Sequence, residues 1–564
     1  MHILSKRRLI CYTILFLIIW AVLFIKCRYG YAMKDEPFYL TIPYRLWQGD
    51  ALFKSEWHMS QLSSFLIYPL FSLYMRIWGS TEGIILAFRY IFTFIWGVAT
   101  IIIFLRLSRI SFRAACFSSL TFFLYTRAGI MALSYNTLGV MNLTLSLVIS
   151  ATSERYNKAD ALISGMLFAS SVLCCPYLAV LYIFNTFLSL IRFLKSNYNL
   201  TKWKYQTIGI VTIAIFFCVF VLNRCNLYEI VQALPYIVMD SEHPGFYLFE
   251  KLESYYFDSL FFIPAFKYYV VFILIAALLG LSWKKSRKYS FILASLFFAY
   301  IEFTIVINPD CTLDYVMFPI NILGLLSFII NPKRNRKLFF EIYLPGILYT
   351  LCLTFSSNTG FSAISCASSV SAVGSFILID DYVNTIEHSI SRNTFAHKII
   401  TISFCIIFVF QLASEAHFRF SVAYCEGPIS QQKEFLNCGA EARLLVTELK
   451  YDYNTCLLED TSSLRTDPEL TSLLFITYDP WLYLETDKEN AAPSAWFSGF
   501  SEENLSKLSM YYTFNPDKLP DAIYIRDYSP AIPEELLRSY IDFFALNYNY
   551  SVSRSLYNNI ILKH

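Results

Sequence analysis

Residues 62–78 read LSSFLIYPLFSLYMRIW, and whether this run crosses a membrane decides the fold. It is near the lower length limit for a spanning helix and carries Pro69 and Arg76. The chain around it is 564 residues long, 56% hydrophobic and 15% charged. A soluble protein has roughly a quarter of its residues charged. Aromatic residues reach 18%, and Trp and Tyr favour the membrane interface. The composition predicts a polytopic α-helical membrane protein with some soluble mass attached. A net charge of +3 is too small to imply a nucleic-acid partner.

Apolar runs of spanning or near-spanning length fall at about 9–27, 84–105, 111–127, 137–152, 160–174, 176–192, 206–223, 267–283, 289–307, 315–330, 338–355, 361–379 and 398–414. The first follows Lys6-Arg7-Arg8 and reads as an uncleaved helix, since no small-residue cleavage site follows it. Charge then settles 62–78. The short basic links are Arg106/Arg109/Arg113, Arg155/Lys158, Arg192/Lys195/Lys202/Lys204, Lys284/Lys285/Arg287/Lys288, Lys333/Arg334/Arg336/Lys337 and Arg392/Lys398. All of them share the side of Lys6-Arg7-Arg8 if 62–78 stays on the outer surface, and all move outside if it crosses. Lys and Arg stay on the cytoplasmic side. The reading is therefore about thirteen transmembrane helices, a cytoplasmic N-terminus, and an interfacial or re-entrant helix at 62–78. By the same logic 160–192 is a hairpin turning at Cys175-Pro176.

This topology places four features outside. They are a long first loop (28–83), the loop around Asn136, the loop at 224–266 and everything after residue 414. The expected division is a transmembrane unit at 1–414 and an extracytoplasmic α/β domain at 415–564. In the latter, strand-like runs (472–477, 521–525, 559–562) alternate with helical patterns (431–449, 502–512, 533–546). Most of the 14 cysteines lie in apolar runs and act as small hydrophobes. Cys425 and Cys438 lie outside the spans, but spacing alone does not fix a disulfide.

The first loop holds Lys34-Asp35-Glu36-Pro37-Phe38-Tyr39, then Tyr44-Arg45-Leu46-Trp47-Gln48-Gly49-Asp50 and Glu56-Trp57-His58. Pro37 suits the first turn of a helix. Phe38, Ile42, Arg45 and Leu46 then share a face that can lie on the membrane. Asp35 and Glu36 sit where the helix dipole favours negative charge. They serve either as a helix start or as chemistry at a bilayer edge, where ionised groups are costly to hold.

The order of these features resembles the GT-C class of membrane glycosyltransferases. It looks most like the branch of protein O-mannosyltransferases and lipid A aminoarabinose transferases. Asp35-Glu36 matches the acidic motif of that class's first outer loop, with Tyr39 close behind. The stretch Glu56 to Trp78, then Gly79 and Phe88-Arg89-Tyr90, resembles its interfacial helix leading into the second span. The motif match covers about 30–140 and the topology match 1–414. Two departures stand out. His58-Met59-Ser60-Gln61 replaces a Lys-Pro-Pro segment, and Asn136 stands where a second acid is expected.

The resemblance implies an inverting transferase, moving a hexosyl or pentosyl unit from a polyprenyl-phosphate carrier to an acceptor at the outer face of the cell membrane. The acceptor is a lipid, polysaccharide or protein. Its hydroxyl needs a base, for which Asp35 is the candidate, with Glu36 orienting it or binding sugar hydroxyls. Lys34, Arg45, His58, Arg89 and Arg224 are candidate partners for the leaving phosphate. Arg89, a turn into its span, could instead be paired with an acid such as Glu82. Tyr39, Asn136 and His243 complete the candidate substrate contacts. An amide at 136 favours a one-base site without metal, and no cofactor is implied. Met239-Asp240-Ser241-Glu242-His243-Pro244-Gly245 is either a polar turn or a lid. Two rival readings remain open: a surface-polysaccharide polymerase or ligase using a lipid-diphosphate donor, leaning on Arg224 to His243, and a non-catalytic lipid or polysaccharide transporter.

Overall fold

The computed structural model describes residues 6–564 apart from 33, 154–156, 197–199, 240–248, 251–252, 254–264, 333–335, 357–360, 391–393, 424–425 and 528–530. The N-terminal part is helical: α1 (Lys6–Lys26), α2 (Asp35–Gln48), α3 (Ser64–Trp78), α4 (Ile84–Leu107), α5 (Phe112–Leu124), α6 (Tyr135–Thr152), α7 (Lys158–Cys174), α8 (Ala179–Ser196), α9 (Thr201–Leu222) and α10 (Leu227–Ile237). It continues through α11 (Phe266–Ser282), α12 (Arg287–Ile307), α13 (Met317–Ile330), a π turn (Phe339–Tyr343) opening α14 (Leu344–Ser356), α15 (Phe361–Ser389) and α16 (Phe395–Ser421). Each expected span coincides with one of these helices. Seven candidate spans among the described residues are long and apolar enough to cross a membrane by length and composition. The chain is a multi-pass helical membrane protein with an α/β region at its C-terminal end.

Residues 62–78 form a short 3-10 turn (Met59–Ser63) and α3, ended by Gly79 at φ 69°, whose N–H reaches the Met75 carbonyl at 2.9 Å. A left-handed cap of this kind suits glycine. The helix is two-faced. Ile67, Phe71, Tyr74 and Met75 are buried, while Leu73, Ile77 and Trp78 are exposed. Gly83, also left-handed at φ 68°, turns the chain into α4.

After Ser421 the chain builds β1 (Val422–Ala423), β2 (Gly427–Pro428), β3 (Glu434–Phe435), β4 (Leu445–Val446), α17 (Glu448–Arg465), β5 (Ser472–Ile476), β6 (Glu489–Asn490), α18 (Glu502–Phe514), β7 (Ala522–Ile525), α19 (Glu534–Tyr548), β8 (Ser551–Arg554) and β9 (Ile560–Lys563). The main sheet has the order β6-β5-β7-β9-β8. Its β5, β6 and β7 run parallel, and β9 is antiparallel to β7 and β8. Every residue of β5 and β7 is buried, as expected of strands covered on both faces. One expectation fails here. Residues 431–449 are not a helix. They form the β3–β4 hairpin, with Glu434 opposite Val446, and the helix begins at Glu448. Gly439, at φ 86°, turns the hairpin where a helical reading needs ordinary right-handed backbone.

Helix α2 also departs from expectation. Phe38, Ile42, Arg45 and Leu46 do not lie on a membrane surface: all four are buried. The α/β domain folds back over them. Tyr44 Oη donates to the Thr486 carbonyl at 2.9 Å, Gln48 Nε2 to that of Lys488 at 3.0 Å, and the Trp57 N–H to that of Pro493 at 2.7 Å. One continuous apolar core runs from α1 to α6 into this domain, through residues such as Trp57, Trp481 and Tyr511. A second core joins α5 to α11, α12, α13, α15 and α16.

Candidate functional site

Adjacent residues on a helix point about 100° apart, so Asp35 and Glu36 meet different surroundings. Glu36 is 2% exposed and faces α4. Its carboxylate takes a two-pronged contact from Arg89, with Nε to Oε1 at 2.8 Å and Nη2 to Oε2, and the Ala32 N–H donates to Oε2 at 3.2 Å. Arg89 Nη1 also donates to the Cys27 carbonyl at 2.8 Å. This cluster ties the end of α1, the head of α2 and the second turn of α4 together. It corrects the role expected of Glu36, since both its oxygens are committed to structure. It also corrects Arg89, whose partner is Glu36 rather than Glu82 or a phosphate.

Arg45 is a second correction. It is 1% exposed. Its guanidinium donates to Asp50 (2.7 Å), Glu56 (2.8 Å), the Ser55 carbonyl (2.5 Å) and Tyr511 Oη (3.3 Å). That commits it to holding the first loop against the α/β domain. His58 caps the 3-10 turn, with Nδ1 accepting from the Ser60 N–H at 3.1 Å, and its ring packs on Phe38 at 4.6 Å. Arg224 stacks over Phe220 at 4.2 Å and donates to Tyr68 Oη at 3.2 Å, in a contact with α3. His243 and most of the 239–245 loop lie outside the described residues, as does Cys425.

Asp35 is half-buried at the head of α2. One turn on, the buried Tyr39 rings against Tyr135 at 5.8 Å, edge to face. Burial pushes the Tyr39 phenol well above its ordinary range, and the Asp35 charge adds to the shift. Tyr135 is likewise raised by burial, opposed by the Arg127 charge and assisted by Asp35. Tyr135 and Asn136 are held as the first residues of α6 by a reciprocal cap. There the Ser134 and Thr137 side chains each accept the other's backbone N–H, at 3.2 and 3.0 Å. Arg127 Nη1 donates to Asn136 Oδ1 at 3.0 Å.

Sequence reasoning missed Tyr135 and, above all, Arg127. The latter opens a 3-10 turn, Arg127–Gly129, in which Ala128 (φ 48°) and Gly129 (φ 76°) are both left-handed. A left-handed alanine costs about 1–2 kcal/mol. Two residues hold the turn through three hydrogen bonds. Asp314 Oδ1 accepts the Ala128 N–H at 2.9 Å, and Arg419 Nη1 donates to Thr126 Oγ1 (2.5 Å) and to the Gly129 carbonyl (2.7 Å). A signal did exist. Arg127 is a cation at the end of the expected span 111–127 that faces away from the basic links. Lys34, beside Asp35, sits over the Trp496 ring at 4.0 Å and the Tyr478 ring at 4.9 Å.

Asp35, Tyr39, Tyr135, Asn136 and Arg127 thus form one group, with Lys34 on its border. A carboxylate, two phenols, an amide and a guanidinium can orient hydroxyls, accept a proton and hold an anion. Among the described residues no group of three or more His, Cys, Asp or Glu is arranged to hold a metal ion.

No family model and no curated protein matches the sequence. Two solved structures are similar in overall arrangement. One is ArnT from Cupriavidus metallidurans bound to undecaprenyl phosphate, at 10% identity and TM-score 0.48, covering 99% of this chain and 98% of that one. The other is the archaeal oligosaccharyltransferase AglB from Archaeoglobus fulgidus, in complex with an inhibitory peptide and a dolichol-phosphate. It has 13% identity and TM-score 0.46, covering 92% of this chain and 70% of that one. At these scores, nothing about the chemistry of this chain follows from either likeness.

Proposed function

We propose that the protein is a GT-C glycosyltransferase that moves a sugar from a polyprenyl-phosphate carrier to a hydroxyl acceptor at the outer face of the membrane. The observation that carries this reading is that Asp35 and Tyr39 from the head of α2 meet Tyr135 and Asn136 from the head of α6 and Arg127 from the turn before it. Glu36, Arg89, Arg45, Asp50 and Glu56 are locked in buried ion pairs. Asp35 belongs with Tyr39, Tyr135, Asn136 and Arg127 beside a strained turn. Strain of this kind persists only where its surroundings enforce it, and it collects at functional sites.

In this reading the acceptor hydroxyl lies against Asp35, which takes its proton as the oxygen attacks the anomeric carbon. The bond from that carbon to the phosphate oxygen breaks on the opposite face, so the configuration inverts. Arg127 and Lys34 stabilise the charge that builds on the departing phosphate. Tyr39 and Tyr135 position hydroxyls. The acceptor is a lipid, a polysaccharide or a protein. The unit 1–414 supplies the donor side, and the domain at 415–564 lies over the first loop on the same outer side.

Comparing a sugar carried on polyprenyl monophosphate with the same sugar on polyprenyl diphosphate, using purified protein in liposomes, tests the donor class. Transfer from the monophosphate alone is expected. Transfer from the diphosphate alone would replace this reading with a polysaccharide polymerase or ligase.

A further inference from the structure

A cleft of about 1000 Å³, partly open to its surroundings, lies far from Asp35 between α6, α7, α8, α9 and the π turn before α14. Asn136 and Ser150 are both on α6, and a rise of 1.5 Å per residue puts them about 20 Å apart. The space is therefore at the end of the bundle where Lys158, Lys202, Lys204 and Lys337 cluster.

Its origin is a packing mismatch. Helices α7 and α9 touch through glycines: a Cβ on Gly165 would fall 2.1 Å from the Gln206 carbonyl oxygen, and one on Gly209 would fall 2.2 Å from that of Leu162. Helix α8 stands off from this pair. It turns Ile183, Phe187 and Leu190 outward and leaves a cleft behind it.

The cleft has a polar end and an apolar end. Glu341 lies on the π turn, an irregularity often found at functional sites. Its Oε2 is buried and accepts no hydrogen bond from the described residues, while Lys202 Nζ and Lys337 Nζ pair with it at 3.9 and 3.8 Å. A buried carboxylate oxygen without a donor calls for an explanation. Lys202 Nζ donates to the Ser150 carbonyl at 2.7 Å and also borders the cleft. Phe168, Leu181, Phe184 and Ile210 line the rest.

We propose that this cleft binds a phospholipid with a primary-ammonium headgroup, of the phosphatidylethanolamine type. The ammonium supplies the N–H donors that Glu341 Oε2 lacks, the phosphate lies against Lys202, and one acyl chain follows the apolar wall. A choline head carries the same charge but has no N–H to donate, and a glycerol head has no cation.

Native mass spectrometry of the full-length protein tests this. The detergent-solubilised chain is equilibrated with equal amounts of phosphatidylethanolamine, its mono- and dimethyl derivatives, phosphatidylcholine and phosphatidylglycerol, all with the same acyl chains. Retention should fall along the methylation series, with ethanolamine over choline by at least about tenfold, the scale of one charge-assisted hydrogen bond. Glu341→Gln should abolish that preference. Soluble phosphoethanolamine at the same concentration should not displace the lipid. Equal retention across the series, a preference that survives Glu341→Gln, or displacement by the soluble head would each overturn the proposal. The methylation series uses wild-type protein, so the test stands even if the variant fails to fold.

Discussion

Asp35 and Glu36 are neighbours with opposite roles, and the difference lies in what each meets. Glu36 meets Arg89 in a buried, two-pronged pair, and removing one partner strands a charge away from water. Arg89→Met should cost about 3–5 kcal/mol of stability. Adding Glu36→Gln should recover part of the loss, because the stranded charge is then gone. Thermal unfolding of the purified variants measures both, and an undiminished melting temperature for Arg89→Met would show that the pair braces nothing. Arg127→Lys keeps the positive charge but loses the planar fork. It should raise the KM for donor about tenfold, as expected for one weakened charge-assisted contact. An unchanged donor KM would remove Arg127 from the site.

Among the elements, the turn Arg127–Gly129 is the most demanding. Its left-handed Ala128 tolerates Gly but excludes a β-branched residue. Ala128→Gly should leave transfer near wild type, whereas Ala128→Val should lower it at least about tenfold by displacing Arg127. Circular dichroism should stay similar in both, and Ala128→Val should melt lower than Ala128→Gly, because the turn anchors the buried Asp314 and Arg419. The helices of the bundle were legible in the sequence, because hydropathy reports the length of an apolar run. The β3–β4 hairpin was not legible. Its strands have two residues each, and their register rests on long-range contacts such as the Leu445 N–H to the Arg28 carbonyl at 2.7 Å. The candidate site was half legible. Asp35, Tyr39 and Asn136 carry a local pattern. The partners that consume Glu36 and Arg45 are set by tertiary packing, which a one-dimensional pattern does not encode.

At the scale of the whole molecule, the α/β domain is built into the first loop. Next to Tyr31 in that loop, the buried Glu441 lies beside Glu485. Burial, and then the neighbouring Glu485 charge, push the Glu441 carboxyl well above its usual range, so the folded protein holds a proton there that the unfolded chain gives up. The folded state therefore gains most below the unfolded carboxylate pKa of about 4.3 and loses that gain as pH rises past it. The domain should melt at a lower temperature at pH 8 than at pH 5, and Glu441→Gln should flatten the difference. A melting temperature that rises with pH over this range would contradict the protonated Glu441.

The central claim is that Asp35 takes the acceptor's proton. Sugar transfer from a polyprenyl-monophosphate donor, measured with wild-type protein and with Asp35→Asn of equal melting temperature, tests it most directly. The account predicts a loss of about 10²–10⁴-fold in kcat, the usual contribution of a positioned base. Transfer by Asp35→Asn at the wild-type rate would contradict it.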